Sequence, residues 1–317
     1  MDNYLTYLYL LTPLHTGGSA NEGNLMGIAR EVHTEFPYLP ASSLRGKIRS
    51  EIENTENEVE KKAAGRLFGE KILNGSQPTE GAIWFADATL LFFPIASLSH
   101  HLIWITCPMW LERWNRWLPK QEISGLIKKS RKILKEKSAI ASFETDKVYL
   151  QTALLKKSSL GKMQADEWSI VFKYLENLVE GSTLLTLLRN KLLILTDEDC
   201  AALVELGLQR EVRVTLEEDS KTVKGGSFRS QEAIPPEAVL FFSWGMKTSK
   251  NAGIDSQKTD LKLTPEQIEA EAQKRSQEVN ADNEIRKITR EKLNKRLQFG
   301  GLEGLGRGIS ELRTIKL

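Results

Sequence analysis

The run YLTYLYLL at residues 4–11 has only one side chain, Thr6, that is neither aromatic nor aliphatic. Successive side chains of a strand point to opposite faces, so a strand this apolar must be covered on both. The chain is therefore expected to fold around an interior strand close to its start. GISELRTIKL at 308–317 reads as a second strand, and both ends of the chain are candidates for the middle of a sheet.

Between these ends, SSLRGKIRSEIE places Leu44, Ile48 and Ile52 on one helical stripe, with Ser42 or Ser43 as the cap and Arg45 and Arg49 on one flank. Two strands follow at 81–95 and 101–108, then a helix at 108–118 with Trp110, Trp114 and Trp117 at helical spacing. Residues 138–190 read as mixed and mainly helical. LLILT at 192–196, DEDCAALVELG and EVRVTLE at 211–217 form a second strand-helix-strand unit, and DSKTVKGGSFRSQE reads as a projecting hairpin centred on Gly225 and Gly226. AVLFFSW at 238–244 is a buried strand, 245–262 a polar, mobile loop, and Thr264, Pro265 and Gln267 start a helix running to Leu297. The pattern predicts an α+β class with a ferredoxin-like or RRM-like core, large insertions and a projecting β-hairpin. The boundaries are a core at about 1–110, 191–244 and 299–317, a mainly helical insertion at about 111–190, and the hairpin at about 218–232, all in one domain of 317 residues.

No apolar run approaches the roughly 20 residues that span a bilayer, and the opening lacks the basic segment of a signal peptide. Two cysteines, Cys107 and Cys200, are too few for a disulfide framework or a Cys-built metal site, which fits the cytoplasm. The net charge of +2 hides an asymmetry: residues 285–317 carry nine Lys or Arg against three Asp or Glu, and KKSRKILKEK at 128–137 adds a second basic run. Such bias is permissive of an anionic partner such as nucleic acid.

QFGGLEGLGRG at 298–308 packs five of the 22 glycines into eleven positions. Neither phosphate-loop spacing, G-x-x-x-x-G-K-[ST] or G-x-G-x-x-G, fits it. A helix C-cap and turn accounts for Gly300 and Gly301, but not for Gly304, Gly306 and Gly308 around Arg307. A backbone platform for a polyanion accounts for them all, with N–H groups meeting phosphates and Arg307 adding charge. SSLRGKIR has the same sense as a hydroxyl-bearing helix start with basic neighbours, although Arg49 pairing with Glu53 on an exposed face is the plainer alternative.

HTGGSANEGNLMGIAREVHTEFPYLPASSLRGKIR, the block LLILTDEDCAALVELG to SQEAIPPEA, and LQFGGLEGLGRG together resemble the RAMP-superfamily backbone subunit of type III-B CRISPR (Cmr) effector complexes. The three blocks fall in the family's order along nearly the whole chain. The resemblance implies an antiviral role in which copies stack as a helical filament along a guide RNA, with other subunits of the effector and a complementary target RNA as partners. It assigns guide-backbone contacts to Ser42, Ser43, Arg45, Lys47 and Arg49, and to Gly300, Gly301, Gly304, Gly306 and Arg307. The hairpin would be the family's thumb, which wedges into the guide-target duplex; Lys221, Lys224, Phe228 and Arg229 are its contacts, with Phe228 as the wedge. Base pairing would read sequence, leaving the protein to recognise shape and charge.

One position departs from the family. Its active members carry, a few residues before an Arg-Glu pair, an aspartate that cuts target RNA with a divalent metal. Here the pair is Arg30 and Glu31, and Leu25, beside Asn24, stands at the aligned position. Leucine neither binds Mg²⁺ nor orients a 2′-hydroxyl, so the expectation is guide binding with cleavage lost and no cofactor required for binding. Glu22 is the carboxylate that would have to substitute, with Mg²⁺ needed only if cleavage is retained. A third reading makes the chain a guide-precursor endoribonuclease using His15 or His33 as base. Trp104, Trp110, Trp114 and Trp117 are expected in the core or at a subunit contact, and His100 and His101, adjacent on a strand, cannot share one metal.

Overall fold

A computed structural model describes residues 3–18, 21–22, 25–69, 79–151, 153–176, 183–225, 227–247 and 283–317. Gly226, most of the polar loop expected at 245–262, and the helix start at Thr264 lie outside these residues. In chain order, β1 (Asn3–Leu10) is followed by the short strands β2 (Asn21–Glu22) and β3 (Leu25–Met26). Helices α1 (Ala41–Glu53) and α2 (Glu58–Phe68) precede β4 (Ile83–Phe85), β5 (Thr89–Ser97) and β6 (His101–Thr106). Next come α3 (Pro108–Trp117), α4 (Gln121–Ile133), β7 (Ala139–Ala141), β8 (Lys147–Leu150), β9 (Ala153–Lys156), β10 (Leu160–Gly161), α5 (Ala165–Lys173) and α6 (Thr183–Lys191). The chain closes with β11 (Leu192–Leu195), α7 (Asp197–Gly207), β12 (Gln209–Arg213), β13 (Arg229–Ala233), β14 (Val239–Met246), a helix at 283–292 (α8), β15 (Arg296–Gln298) and β16 (Ile309–Lys316).

The main sheet runs β10-β7-β11-β6-β5-β14-β1-β16-β15, with β4 also on β14. The apolar run at the start is buried as its composition requires: β1 lies between β14 and β16, antiparallel to both. Its one polar side chain is satisfied inside, since the Trp244 indole donates to Thr6 Oγ1 at 2.9 Å and the Thr314 hydroxyl lies 2.8 Å away. The final strand is interior too, between β1 and β15. Neighbours β5-β14-β1-β16 are antiparallel throughout, with α1 and α2 in the connection from β1 to β5 and α8 in the connection from β14 to β16. This is a split strand-helix-strand arrangement within an α+β fold.

Two expectations need correction. The unit formed by β11, α7 and β12 does not lie in one sheet: β11 pairs with β6 and β7, whereas β12 belongs to a separate sheet ordered β12-β13-β3-β2. QREVR has one apolar side chain, Val212, and its positions alternate between half-buried and exposed, which suits a sheet open on one face and not the doubly covered main sheet. The insertion at 111–190 is less helical than expected, contributing β7 and β10 to the main sheet and the β8-β9 hairpin besides. Those strands are two to four residues long, too short for periodicity to reveal.

Trp104, Trp110 and Trp114 are fully buried, and Trp117 is the partly exposed member of the group. On the face of the sheet covered by α3 to α6, the Trp114 indole donates to Tyr7 Oη at 3.0 Å, and Tyr7 Oη donates to the Tyr174 carbonyl. Burial pushes the Tyr7 phenol well above its ordinary pKa, so it stays protonated as that donor. Cys107 and Cys200 are buried free thiols, and burial raises the pKa of Cys200. Tyr7→Phe strands the Trp114 N–H in the core and should cost about 1–3 kcal/mol in urea unfolding; an unchanged midpoint would contradict this packing.

Candidate nucleic-acid interface

The glycine cluster joins β15 to β16 and folds back on the chain leaving β1. Gly301 N–H donates to the His15 carbonyl at 2.8 Å, Gly308 N–H to the Pro13 carbonyl at 2.8 Å, and Leu11 N–H to the Ile309 carbonyl at 2.9 Å. At Gly300, φ is +81° and a Cβ would sit 2.2 Å from the His15 carbonyl oxygen; at Gly308, φ is +75° and a Cβ would sit 1.8 Å from that of Phe299. These two glycines are required by backbone crossings. Gly304 and Gly306 meet nothing within 4 Å and form an exposed tip with Leu305. Arg307 does not face solvent: it is 7% exposed, and its guanidinium donates to Glu211 of β12. That contact, reinforced by Gln209 and Arg213, holds the Glu211 carboxyl below its usual range and fastens the glycine loop to the smaller sheet.

The loop after β1 is built into that sheet. β3 runs parallel to β13, Leu25 opposite Ser230 and Met26 opposite Gln231, and β2 pairs Glu22 with Leu25. Val212, Ser230 and Leu25 thus form one row on one face. Arg30 donates to Glu205 at 2.6 Å and to Glu232 at 2.9 Å, and Arg210 reaches the same two carboxylates. Glu232 is 2% exposed, so two guanidiniums compensate a buried charge. Glu31 accepts a bidentate pair from Arg113 at 2.6 and 2.8 Å. His15 is buried, with Nδ1 2.7 Å from the Glu232 carbonyl, which fixes Nδ1 as the donor. His33 is exposed.

The hairpin projects from β12 and β13, and its tip lies ahead of Gly225, where a centre at the glycine pair was expected. Glu217 N–H donates to the Thr222 carbonyl and Lys221 N–H to the Glu217 carbonyl, closing the tip at 217–222 with Lys221 at φ +54°. The apolar pair Leu216 and Val223 bridges the strands and sets this register, leaving the polar Glu218, Asp219 and Ser220 to turn. Val212 is 67% exposed and Phe228 52%, with Val214, Leu216 and Val223 also exposed. Lys221, Lys224 and Arg229 are exposed beside them.

The start of α1 is assembled differently from its sequence reading. Helical residues begin at Ala41 after Pro40, neither Ser42 nor Ser43 caps the helix, and the Ala41 N–H is taken by Asp87 Oδ1 at 2.7 Å. Proline at the cap position moves the helix start ahead of both serines. Arg45 donates to the carbonyls of Phe68, at the end of α2, and Ile83; Arg49 donates to Glu53 at 2.8 Å and to the Gly69 carbonyl, and Lys47 pairs with Glu51 at 3.0 Å. Both arginines thus tie α1 to the end of α2, where helix carbonyls lack partners. Ser42 and Arg45 line a cavity of about 380 Å³ with Trp84, Phe85 and Lys247. Strand register separates this site from the glycine loop: the loop is level with Leu10, whereas α1 starts beside Ala86, bonded to Ser243 opposite Leu5. Five residues of strand are about 17 Å, so the two are separate places on the surface.

Residues 7–310 match the model of the RAMP superfamily. The chain belongs to that superfamily. It is 28% identical, across all of its length and 96% of the relative, to the CRISPR system Cmr endoribonuclease Cmr4 of Pyrococcus furiosus. Its fold is similar to that of oligomeric Cmr4 from the same organism, with TM-score 0.64 and 24% identity over 100% of this chain and 99% of the other. A chain of the type III-B Cmr-beta complex bound to cognate target RNA superposes with TM-score 0.67 at 19% identity, covering 98% of this chain and 96% of that one.

The glycine loop and the loop after β1, far apart in sequence, are neighbours through His15 and Gly301. Sequence reading missed Glu232, Glu205, Arg210, Glu211 and Asp87, whose partners lie far along the chain; the Arg30-Glu31 pair was the one local sign of that network. Gly308→Ala should cost about 2 kcal/mol or more in chemical unfolding, and Gly304→Ala less than about 0.5; equal costs would contradict the division of the glycines. Because the folded pKa of Glu211 is depressed, its contact with Arg307 contributes above the ordinary carboxylate pKa and is lost as pH falls through the lower folded value. Gly301 amide exchange, corrected for intrinsic pH dependence, should accelerate on acidification below about pH 4, and Glu211→Gln should accelerate it already at neutral pH. Exchange insensitive to both would rule out the anchoring role.

Proposed function

We propose that the chain is a guide-RNA-binding backbone subunit of a type III-B CRISPR effector, multimerising along the guide in defence against complementary RNA, with its own cleavage of target lost. Full-length similarity to Cmr4 supports the assignment, and likeness to a chain of a target-bound Cmr complex supports RNA as the partner. The loss of cleavage rests on the resemblance, which puts Leu25 where the family's cutting aspartate would stand, and on its surroundings, a strand row with Ser230 and Val212. A hydrocarbon side chain offers no oxygen to a divalent ion, so Leu25 supports no metal-dependent step. Binding itself needs no cofactor; Mg²⁺ belongs only to a retained cleavage step.

The contacts divide by exposure. Lys221, Lys224 and Arg229 on the hairpin meet phosphates, Phe228 wedges between bases at an unstacking cost of a few kcal/mol, and the tip at Gly304 and Gly306 lets the RNA backbone approach closely. Ser42, Ser43 and Lys47 form the second contact, at α1. Arg45, Arg49 and Arg307 shape these surfaces from within, through the internal bonds described above.

The assembled complex, incubated with complementary RNA and Mg²⁺, should leave the RNA intact, and Leu25→Asp should introduce regularly spaced cuts. Regular cutting by the unmodified complex that disappears in Glu22→Ala would overturn the loss of cleavage and make the subunit an active endoribonuclease.

A further inference from the structure

Of the nine cations in residues 285–317, Arg286, Lys287 and Arg290 share one stripe of α8, and Lys295 and Lys316 stand beside it. Residues 283, 286, 287, 290, 291 and 294 recur at helical spacing and line a cavity of about 650 Å³ against the start of β1 and the end of β16. The opposite stripe, Ile285, Ile288 and Leu293, is buried in the core, and Lys292 pairs with Glu60 of α2 at 3.0 Å, so the helix presents this face in a fixed orientation. Among the described residues, Arg286, Lys287, Arg290, Lys295 and Lys316 line the cavity together with the carboxylate of Glu291. Lys287, Arg290 and Lys295 are exposed. Tyr4 pairs with Lys316 in the strand register and Leu10 with Ser310, so this cavity and the glycine loop lie at opposite ends of β1, about 20 Å apart along the strand.

We infer that this cavity is a further seat for the phosphodiester backbone of RNA, distinct from the glycine loop, the hairpin and α1. The inference rests on the RNA-binding function proposed above. Like charges three and four residues apart on one helix face repel, and a polyanion laid along them relieves that repulsion and releases its own counterions. Arginine and lysine offer donors only, which suits phosphate oxygens. Tyr4, the one aromatic residue of the lining among the described residues, is stacked on Trp244 with ring centroids 4.4 Å apart and is buried. Among the described lining residues no ring is left to take a base, so the contact is with the backbone and independent of sequence.

The test uses the full chain and a mixed-sequence single-stranded RNA of about 40 nucleotides, long enough for several contacts, with binding measured across a salt series. The triple variant Lys287→Gln, Arg290→Gln, Lys295→Gln should lower the slope of log K against log salt by about 2 and weaken binding at moderate salt by about tenfold or more, and the triple change to Glu should weaken it further. Thermal melting of both variants should stay close to that of the parent, since the three side chains are exposed. Parent binding with an unchanged slope and affinity in both variants would overturn the inference and leave the function standing. Absence of RNA binding by the parent would instead remove the function and the inference together. Polyglutamate binding that the triple variant abolishes, with RNA binding intact, would reassign the cavity to an acidic protein.

Discussion

The confinement of β1 is the constraint on which the other features depend. Its edges are occupied by β14 and β16, strands about 240 and 310 residues away, and its faces by two apolar layers. Once β1 is fixed, the chain leaving it has one route, along the glycine loop, to which it is stitched through Pro13 and His15. The loop's own turns then bring Arg307 to Glu211, and β12 carries the hairpin. The position of the candidate RNA-contacting tip is thus inherited from the burial of an apolar strand at the other end of the sequence.

Charge is used in two ways in this molecule. Arg30, Arg45, Arg49, Arg113, Arg210 and Arg307 are spent on carboxylates and carbonyls that would otherwise be stranded between elements, and they hold the post-β1 loop, α1 and the glycine loop in place. Lys221, Lys224, Arg229, Lys287, Arg290 and Lys295 stand on projecting or exposed faces. A guanidinium with fixed planar donors suits the first task, and flexible exposed cations suit a partner whose charge lies on its backbone.

Much of this was legible in the sequence where the signal was local. The doubly buried first strand, the Leu44, Ile48 and Ile52 stripe, the tryptophan core and the interior last strand all follow from period and composition. The cap at Ser42 or Ser43 failed because Asp87, far along the chain, supplies the acceptor, and the hairpin tip moved because the Leu216 and Val223 pair outweighs the turn preference of Gly-Gly. Arg307 looked like a phosphate ligand because sequence shows a basic residue among glycines but not the carboxylate of Glu211 waiting inside. Leu25, five residues before the Arg30-Glu31 pair, was visible from sequence alone, whereas its row with Ser230 and Val212 needed the sheet.

The most direct measurement is the sequencing of RNA that stays with the protein when it is purified from its native cells. A guide-coating subunit predicts RNA of discrete lengths carrying CRISPR repeat-derived sequence, protected from added nuclease. A generic population of cellular RNA, or none, would contradict the account.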